Sequence, residues 1–350
     1  MRRLVGFLFI LMVWNVTGRS QNYITNSGFE GPDGISVIPP DWLSGCGVMN
    51  TPDTQPGWWN IENKPPEGKT FIDLLFKEDG TTESVYQQLA VPLDSGACFL
   101  MEIQLAQACQ DSLSGLDPYG LNHPGDLQIR GSESYGCGNG QILAVFEQVE
   151  HCGWKKYYTV FQAQGTINFI YLEFSKGIST FKNGSILIDQ FVLDNLHPLP
   201  AEFLNPFMGD VAQLHASVAG TGYTWMINDS LINIDSAQIT LEITQNSTID
   251  LVYFSSDGCR ITERFVIRVQ PQIPNIFTPL DNDHVNDVFY IRGLVENAKL
   301  LVYNRWGNVM FEQAPYLNNW SPSDLTPGVY FYRLDLLESD RFFEGFVTIL

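Results

Sequence analysis

The sequence predicts an all-β chain built from several sandwich modules. Aromatic residues, Gly, Asn and Ser are plentiful, while Lys, Ala and long amphipathic helical patterns are scarce. Short apolar runs alternating with polar residues recur between Gly, Pro and Asp turns, the period-two signature of half-buried strands. His197-Pro198-Leu199-Pro200 and Pro271-Gln272-Ile273-Pro274 punctuate the text, because proline fixes φ and removes ladder donors. They divide the chain into three blocks, 21–196, 197–271 and 272–350, preceded by a leader over 1–20.

The leader reads as a signal peptide: Met1-Arg2-Arg3 is its charged end, and Leu4 to Val16 its apolar stretch. Cleavage is expected after Ser20. The run breaks at Asn15, Thr17 and Arg19, short of the roughly 20 apolar residues a membrane span needs, and no later segment is long enough. No cysteine stands at the expected cleavage point for a lipid anchor. The formal charge is −20, and cleavage removes three more arginines. Such acidity disfavours nucleic acid, whose phosphates require clustered Lys and Arg; it suits solubility outside the cell, with divalent-cation binding as the alternative.

In the first block the expected strands are Thr70 to Phe76, Ser84 to Val91, Cys98 to Ala106, Gln141 to Gln148, Tyr157 to Gln162, Ile167 to Phe174 and Ser185 to Leu193. The stretch Gln110 to Gly140 reads mostly as loop, with turn signals at Asp117-Pro118-Tyr119-Gly120 and His123-Pro124-Gly125-Asp126. Six cysteines, at 46, 98, 109, 137, 152 and 259, are expected to form disulfides in an exported chain. Proximity in sequence favours Cys98 with Cys109 and Cys137 with Cys152, leaving Cys46 and Cys259 over. No Cys or His pair has zinc-ligand spacing.

In the middle block, apolar runs at Gln213 to Val218, Tyr223 to Met226, Gln238 to Ile243, Leu251 to Tyr253 and Arg264 to Val269 are the expected strands. The pattern resembles an immunoglobulin-like or PKD-like module with Trp225 as the inter-sheet tryptophan. It departs from true immunoglobulin domains in having no second cysteine to bridge to Cys259, so that disulfide is expected to be absent or inter-domain.

In the last block, Tyr330, Tyr332, Leu334 and Leu336 fall on one face of an expected strand, with Arg333 and Asp335 on the other. A small sandwich is expected there. The text Ile273-Pro274-Asn275-Ile276-Phe277-Thr278-Pro279, then Val302-Tyr303-Asn304-Arg305-Trp306-Gly307-Asn308-Val309, then Leu325-Thr326-Pro327-Gly328-Val329-Tyr330, closely resembles the gliding-motility-associated C-terminal domain. That domain is the type B sorting signal of type IX secretion substrates. The resemblance implies engagement by the type IX secretion machinery and export to the cell surface or beyond, with Asn304, Arg305, Trp306 and Gly307 as the core of the motif. The sequence has His284 where the family usually has Gly, and Ser321-Pro322 where it has Asp-Gly.

The opening Asn26-Ser27-Gly28-Phe29-Glu30, Trp42, and the closing run Ile186 to Leu193 resemble a jelly roll of the carbohydrate-binding-module type. That resemblance implies a structural calcium held by Glu30 and Asp189, calcium favouring hard oxygen ligands. Asp281, Asp283 and Asp287 form a second acidic run that reads either as a calcium loop or as a solvated turn.

Trp58 and Trp59 are adjacent in a Pro/Gly-rich loop, so in an extended chain one faces the core and the other solvent. An exposed indole stacks a sugar ring, with Asp53 or Asn60 hydrogen-bonding its hydroxyls; Tyr119 and Tyr135 are further candidates. The alternative has both tryptophans closing the sandwich. No G-x-S-x-G, H-E-x-x-H, P-loop or dinucleotide fingerprint occurs. Glu102, Glu147 and Glu173 are the strand carboxylates from which a glycosidase pair would have to come. The expectation is a non-catalytic binding or adhesion protein, preferably for a glycan. The alternatives are a structural surface component with protein partners, and a glycoside hydrolase or esterase with an unfamiliar site.

Overall fold

A computed structural model describes residues 22–46, 50–109, 121, 123–175, 183–279 and 285–350. The stretch 1–20 expected to be a signal peptide, Tyr119, Asp281 and Asp283 lie outside them. The described residues are all β and contain no helix. The chain forms two compact units, Met1–Leu196 and His197–Leu350.

Unit 1 contains β1 (Leu43–Ser44), β2 (Asp53–Gln55), β3 (Phe71–Phe76), β4 (Ser84–Leu93), β5 (Cys98–Gln107), β6 (Gly125–Ser132), β7 (Gln141–Val149), β8 (Lys155–Gln162), β9 (Ile167–Ser175) and β10 (Gly184–Asn195). They make two five-stranded sheets, β1-β4-β9-β6-β7 and β2-β3-β10-β5-β8. Alternation decides what lies between them. Ile72, Leu74 and Phe76 of β3 join Val85, Leu127, Ile129, Ile170, Leu172, Ile186 and Ile188 in the inter-sheet core. Phe71 and Leu75 point the other way and, with Leu187 and Ala106, form a second apolar layer on which Trp59 and Trp154 pack.

Two expectations fail in this unit. The stretch read as mostly loop contains β6, an internal strand hydrogen-bonded to both β7 and β9; Leu127 and Ile129 alternate as a strand should, but flanking Gly and Pro obscured them. Two of the disulfides are Cys46–Cys137 and Cys109–Cys152, with Cα separations of 5.4 and 5.5 Å, so the pairing by sequence proximity is wrong; no cysteine is free, so neither Cys46 nor Cys259 is left over. The reason is strand geometry. Cys98 and Cys109 stand at opposite ends of β5, which at about 3.3 Å per residue puts them far beyond the ~7 Å limit for a bridge. The antiparallel pairing of β5 with β8 instead brings the end of β5 to the start of β8, where Cys152 lies.

Unit 2 contains β11 (Glu202–Leu204), β12 (Val211–His215), β13 (Gly220–Ile227), β14 (Ser230–Ile232), β15 (Gln238–Glu242), β16 (Ser247–Ser255) and β17 (Arg260–Ile267), followed by β18 (Ile276–Phe277), β19 (Ala298–Tyr303), β20 (Val309–Gln313), β21 (Gly328–Leu336) and β22 (Phe342–Ile349). The sheets are β11-β17-β16-β13-β14, β12-β15 and β18-β22-β21-β19-β20. Trp225 is fully buried, stacks on Phe265 at 5.9 Å and donates its indole N–H to Ser236 O. Glu263 is buried yet saturated: Ser217 N and Oγ and the Tyr253 hydroxyl all donate to it. In β21, Tyr330, Leu334 and Leu336 are buried, with Tyr332 packed against the same core, as the alternation requires.

Candidate functional site

The open face of the β1-β4-β9-β6-β7 sheet carries a cluster of aromatic rings. Because Val85 and Leu89 of β4 and Ile170 and Leu172 of β9 enter the core, their neighbours Tyr86, Phe169 and Tyr171 project outward. Strand register sets them in rows. Leu43, Tyr86, Tyr171, Arg130 and Ile142 stand side by side across the five strands, flanked by Ser84, Glu173, Gln128 and Val145 on one side. Tyr86 and Tyr171 stack at 5.5 Å between centroids; Tyr135, arriving from the loop after β6, lies 5.1 Å from Tyr86 and 6.3 Å from Phe169.

Tyr171 forms the buried base of the cluster, whereas Tyr135 is 56% exposed. Burial, with Tyr135 and Tyr171 beside it, pushes the Tyr86 hydroxyl above its ordinary value, so it remains a donor. The polar border is preorganised: Arg130 Nε donates to Glu173 Oε2 at 3.0 Å and Nη2 to Gln128 Oε1 at 2.7 Å. A flat apolar surface edged by fixed hydrogen-bonding groups is chemically suited to the face and rim of a sugar ring.

The tryptophan loop makes a different feature. A cleft of about 400 Å³ is lined by Ile35, Leu75, Phe76 and Leu121 together with Thr51, Asp53, Trp59 and Glu83. Trp59 is half-buried and donates its indole N–H to Asp53 Oδ2 at 2.5 Å, while Ser36 N donates to Oδ1 at 2.6 Å. Trp58 and Asn60 are more exposed. Three buried carboxylates gather here: Asp53, Asp73 and Glu83. Burial is the main cause of the upward shift of all three, and Glu83 is pushed up to about 7. Sequence reasoning placed Asp53 and Trp59 together, and they touch; it gave no role to Asp73 or Glu83, which lie 20 and 30 residues further on.

Glu30 and Asp189 also come together. Glu30 lines a depression with Ser27, Gly28, Glu67, Gly68 and Gln190, and Asp189 is near enough for the Glu30 and Glu67 charges to act on it. Asp189 is fully buried; its Oδ1 accepts from Gln190 N, and its Oδ2 has no hydrogen-bond partner. Burial, followed by the charges of Glu30 and Glu67, pushes Asp189 up to about 7. No three acidic, His or Cys side chains among the described residues form a ready-made metal cage. Asp287 is half-buried near the start of the last module.

Glu102 lies on β5, in the opposite sheet from Glu147 and Glu173, and is paired with Lys156 at 3.1 Å. Glu173 is paired with Arg130. The Asn304–Gly307 motif is the β19–β20 turn. Asn304 Oδ1 accepts from Trp306 N and Asn308 N, Gly307 adopts φ +82°, and the Arg305 guanidinium lies 5.2 Å from the Trp306 ring, which is 75% exposed.

Residues 271–349 match the CHU_C Type IX secretion signal domain. This signal marks the protein for export to the cell surface or extracellular space by the type IX secretion machinery, and among the described residues no helix is long and apolar enough to cross a membrane. No match is found among curated proteins. Among solved structures, the chain is similar to the enzymatically active domain of bacteriophage CBA120 tailspike protein 4, with 15% identity, TM-score 0.32, and coverage of 50% of this chain but only 21% of that one. It is also similar to Family 16 Carbohydrate Binding Module-2, with 14% identity, TM-score 0.30, and coverage of 49% and 99%. A third is the K1 cleaved adhesin domain of Lys-gingipain from Porphyromonas gingivalis W83, with 13% identity, TM-score 0.31, and coverage of 46% and 94%. Likeness this distant does not bear on what the chain binds.

Proposed function

We propose that this exported protein is a non-catalytic binding or adhesion protein whose N-terminal sandwich recognises a glycan on the open β1-β4-β9-β6-β7 face. The observation that carries the reading is the cluster of Tyr86, Tyr135 and Phe169 beside the fixed Arg130–Glu173–Gln128 group. Aromatic rings take the apolar face of a pyranose, and the planar polar groups take its hydroxyls. The middle block serves as an immunoglobulin-like spacer. Calcium is the structural ion of the first module: Glu30 and Asp189 would hold it with help from Glu67 and neighbouring oxygens, and its charge would satisfy the unpartnered Asp189 Oδ2.

The Trp59 cleft is a second contact region, favoured by its apolar walls and about 400 Å³ of space. Binding of residues 21–350 to an array of soluble and insoluble glycans, with calcium and with chelator, tests both faces. The wild type is compared with Tyr86→Ala/Tyr135→Ala and Trp58→Ala/Trp59→Ala. Loss in the tyrosine pair alone supports the open face; loss in the tryptophan pair alone moves the site to the cleft. No binding by any folded form favours a structural component with protein partners.

A further inference from the structure

We infer that the Cys46–Cys137 disulfide is a positioning element that clamps the Tyr135 loop onto the open sheet face and so completes the ligand surface; the inference rests on the glycan reading of that face. The two ends of the cross-link differ in how firmly they are held. The Cys46 end is fixed to β4. Gly45 N donates to Ser84 O at 2.8 Å, Ser84 Oγ donates to Cys46 O at 3.3 Å, and Asn50 closes the loop by donating to Ser84 O and accepting from Ser84 N. Contact there is so close that a Cβ on Gly45 would lie 2.2 Å from Ser84 Oγ.

Cys137 lies in the exposed connection between β6 and β7, two residues after Tyr135. Few groups hold that connection to the sheet. Asn168 Nδ2 donates to Glu133 O at 2.7 Å, and Gly136 N donates to the Tyr171 hydroxyl at 3.0 Å. Neither bond fixes the Tyr135 side chain. The disulfide spans 91 residues of sequence and joins the loop to the segment just after β1, which is itself hydrogen-bonded to Ser84 at the start of β4, the strand bearing Tyr86. Tyr135 is thereby held over Tyr86 and Phe169, where its ring and theirs present one continuous surface. Neither cysteine belongs to the inter-sheet core, so removing the cross-link opens no cavity between the sheets, although its closure of 91 residues also restrains the unfolded chain.

The test compares wild-type residues 21–350 with Cys46→Ser/Cys137→Ser. Far-ultraviolet circular dichroism reports folding, titration reports affinity for the glycan selected on the array, and hydrogen exchange reports the Gly136 amide. The expected result is a folded variant that binds at least about tenfold more weakly and exchanges the Gly136 amide faster, while Cys109→Ser/Cys152→Ser retains wild-type affinity. A double variant that does not fold, or one that folds with unchanged affinity and unchanged exchange, overturns the inference. If the wild type binds no glycan, the glycan reading fails by itself. The exchange arm then still decides the clamp: accelerated exchange supports it and unchanged exchange overturns it.

Discussion

Glu83 shows how one side chain ties stability to pH. It is buried, accepts hydrogen bonds from Leu75 N and Thr51 Oγ, and is pushed up to about 7 by burial and by Asp53. A carboxyl raised in the folded state favours folding while protonated. Its contribution is therefore complete below its ordinary value of 4.5 and is lost as pH rises through about 7. Raising the pH from 4.5 to 8 is expected to cost the first unit on the order of 2–3 kcal/mol from this group. Glu83→Gln is expected to flatten that part of the profile, as read by denaturant midpoints at both ends. Glu263 is also buried, and Ser217 N, Ser217 Oγ and the Tyr253 hydroxyl donate to it. Glu263→Ala leaves Tyr253 and Ser217 without their acceptor and should lower the stability of unit 2 by about 2–3 kcal/mol in urea unfolding. Neither role is legible in the sequence, where Glu83 stands between Thr82 and Ser84 and Glu263 between Thr262 and Arg264, polar neighbours that read as solvated.

At the level of elements, legibility followed local pattern. The alternation in β21 needs only the order of its own residues, and it correctly placed Tyr330, Leu334 and Leu336 in the core. The tyrosine surface was hidden because Tyr86, Tyr135 and Phe169 come from two strands and a loop, and only the β4–β9 register and the path of the loop bring them together. The disulfides were misassigned for the same reason, since the end of β5 meets the start of β8 through pairing and not through sequence distance. Removing Cys109–Cys152, which closes 43 residues, should lower the unfolding free energy of unit 1 by about 3–4 kcal/mol. Trp306→Ala, in an exposed turn, should change the melting of unit 2 by no more than about 0.5 kcal/mol, so an export defect in that variant would report recognition of the turn and not misfolding.

For the whole molecule, function divides along the chain. The C-terminal domain carries the export signal, which was legible because several motifs occur in order within one short block. Deleting residues 272–350 should leave the remainder in the periplasm, as read by surface labelling and fractionation. Calcium should raise the melting temperature of the first unit. It should also weaken that unit's loss of stability as pH rises through about 7, because a bound cation keeps Asp189 ionised without penalty. Asp189→Asn should remove the calcium response.

The most direct test of the central proposal is the dissociation constant of residues 21–350 for the best glycan on the array, measured for wild type and for Tyr86→Ala/Tyr135→Ala at matched folding. The expected result is saturable binding by the wild type and a loss of at least about tenfold in the variant, the scale of a removed aromatic contact. Equal affinity in the two proteins would contradict the assignment of the open tyrosine face as the binding site.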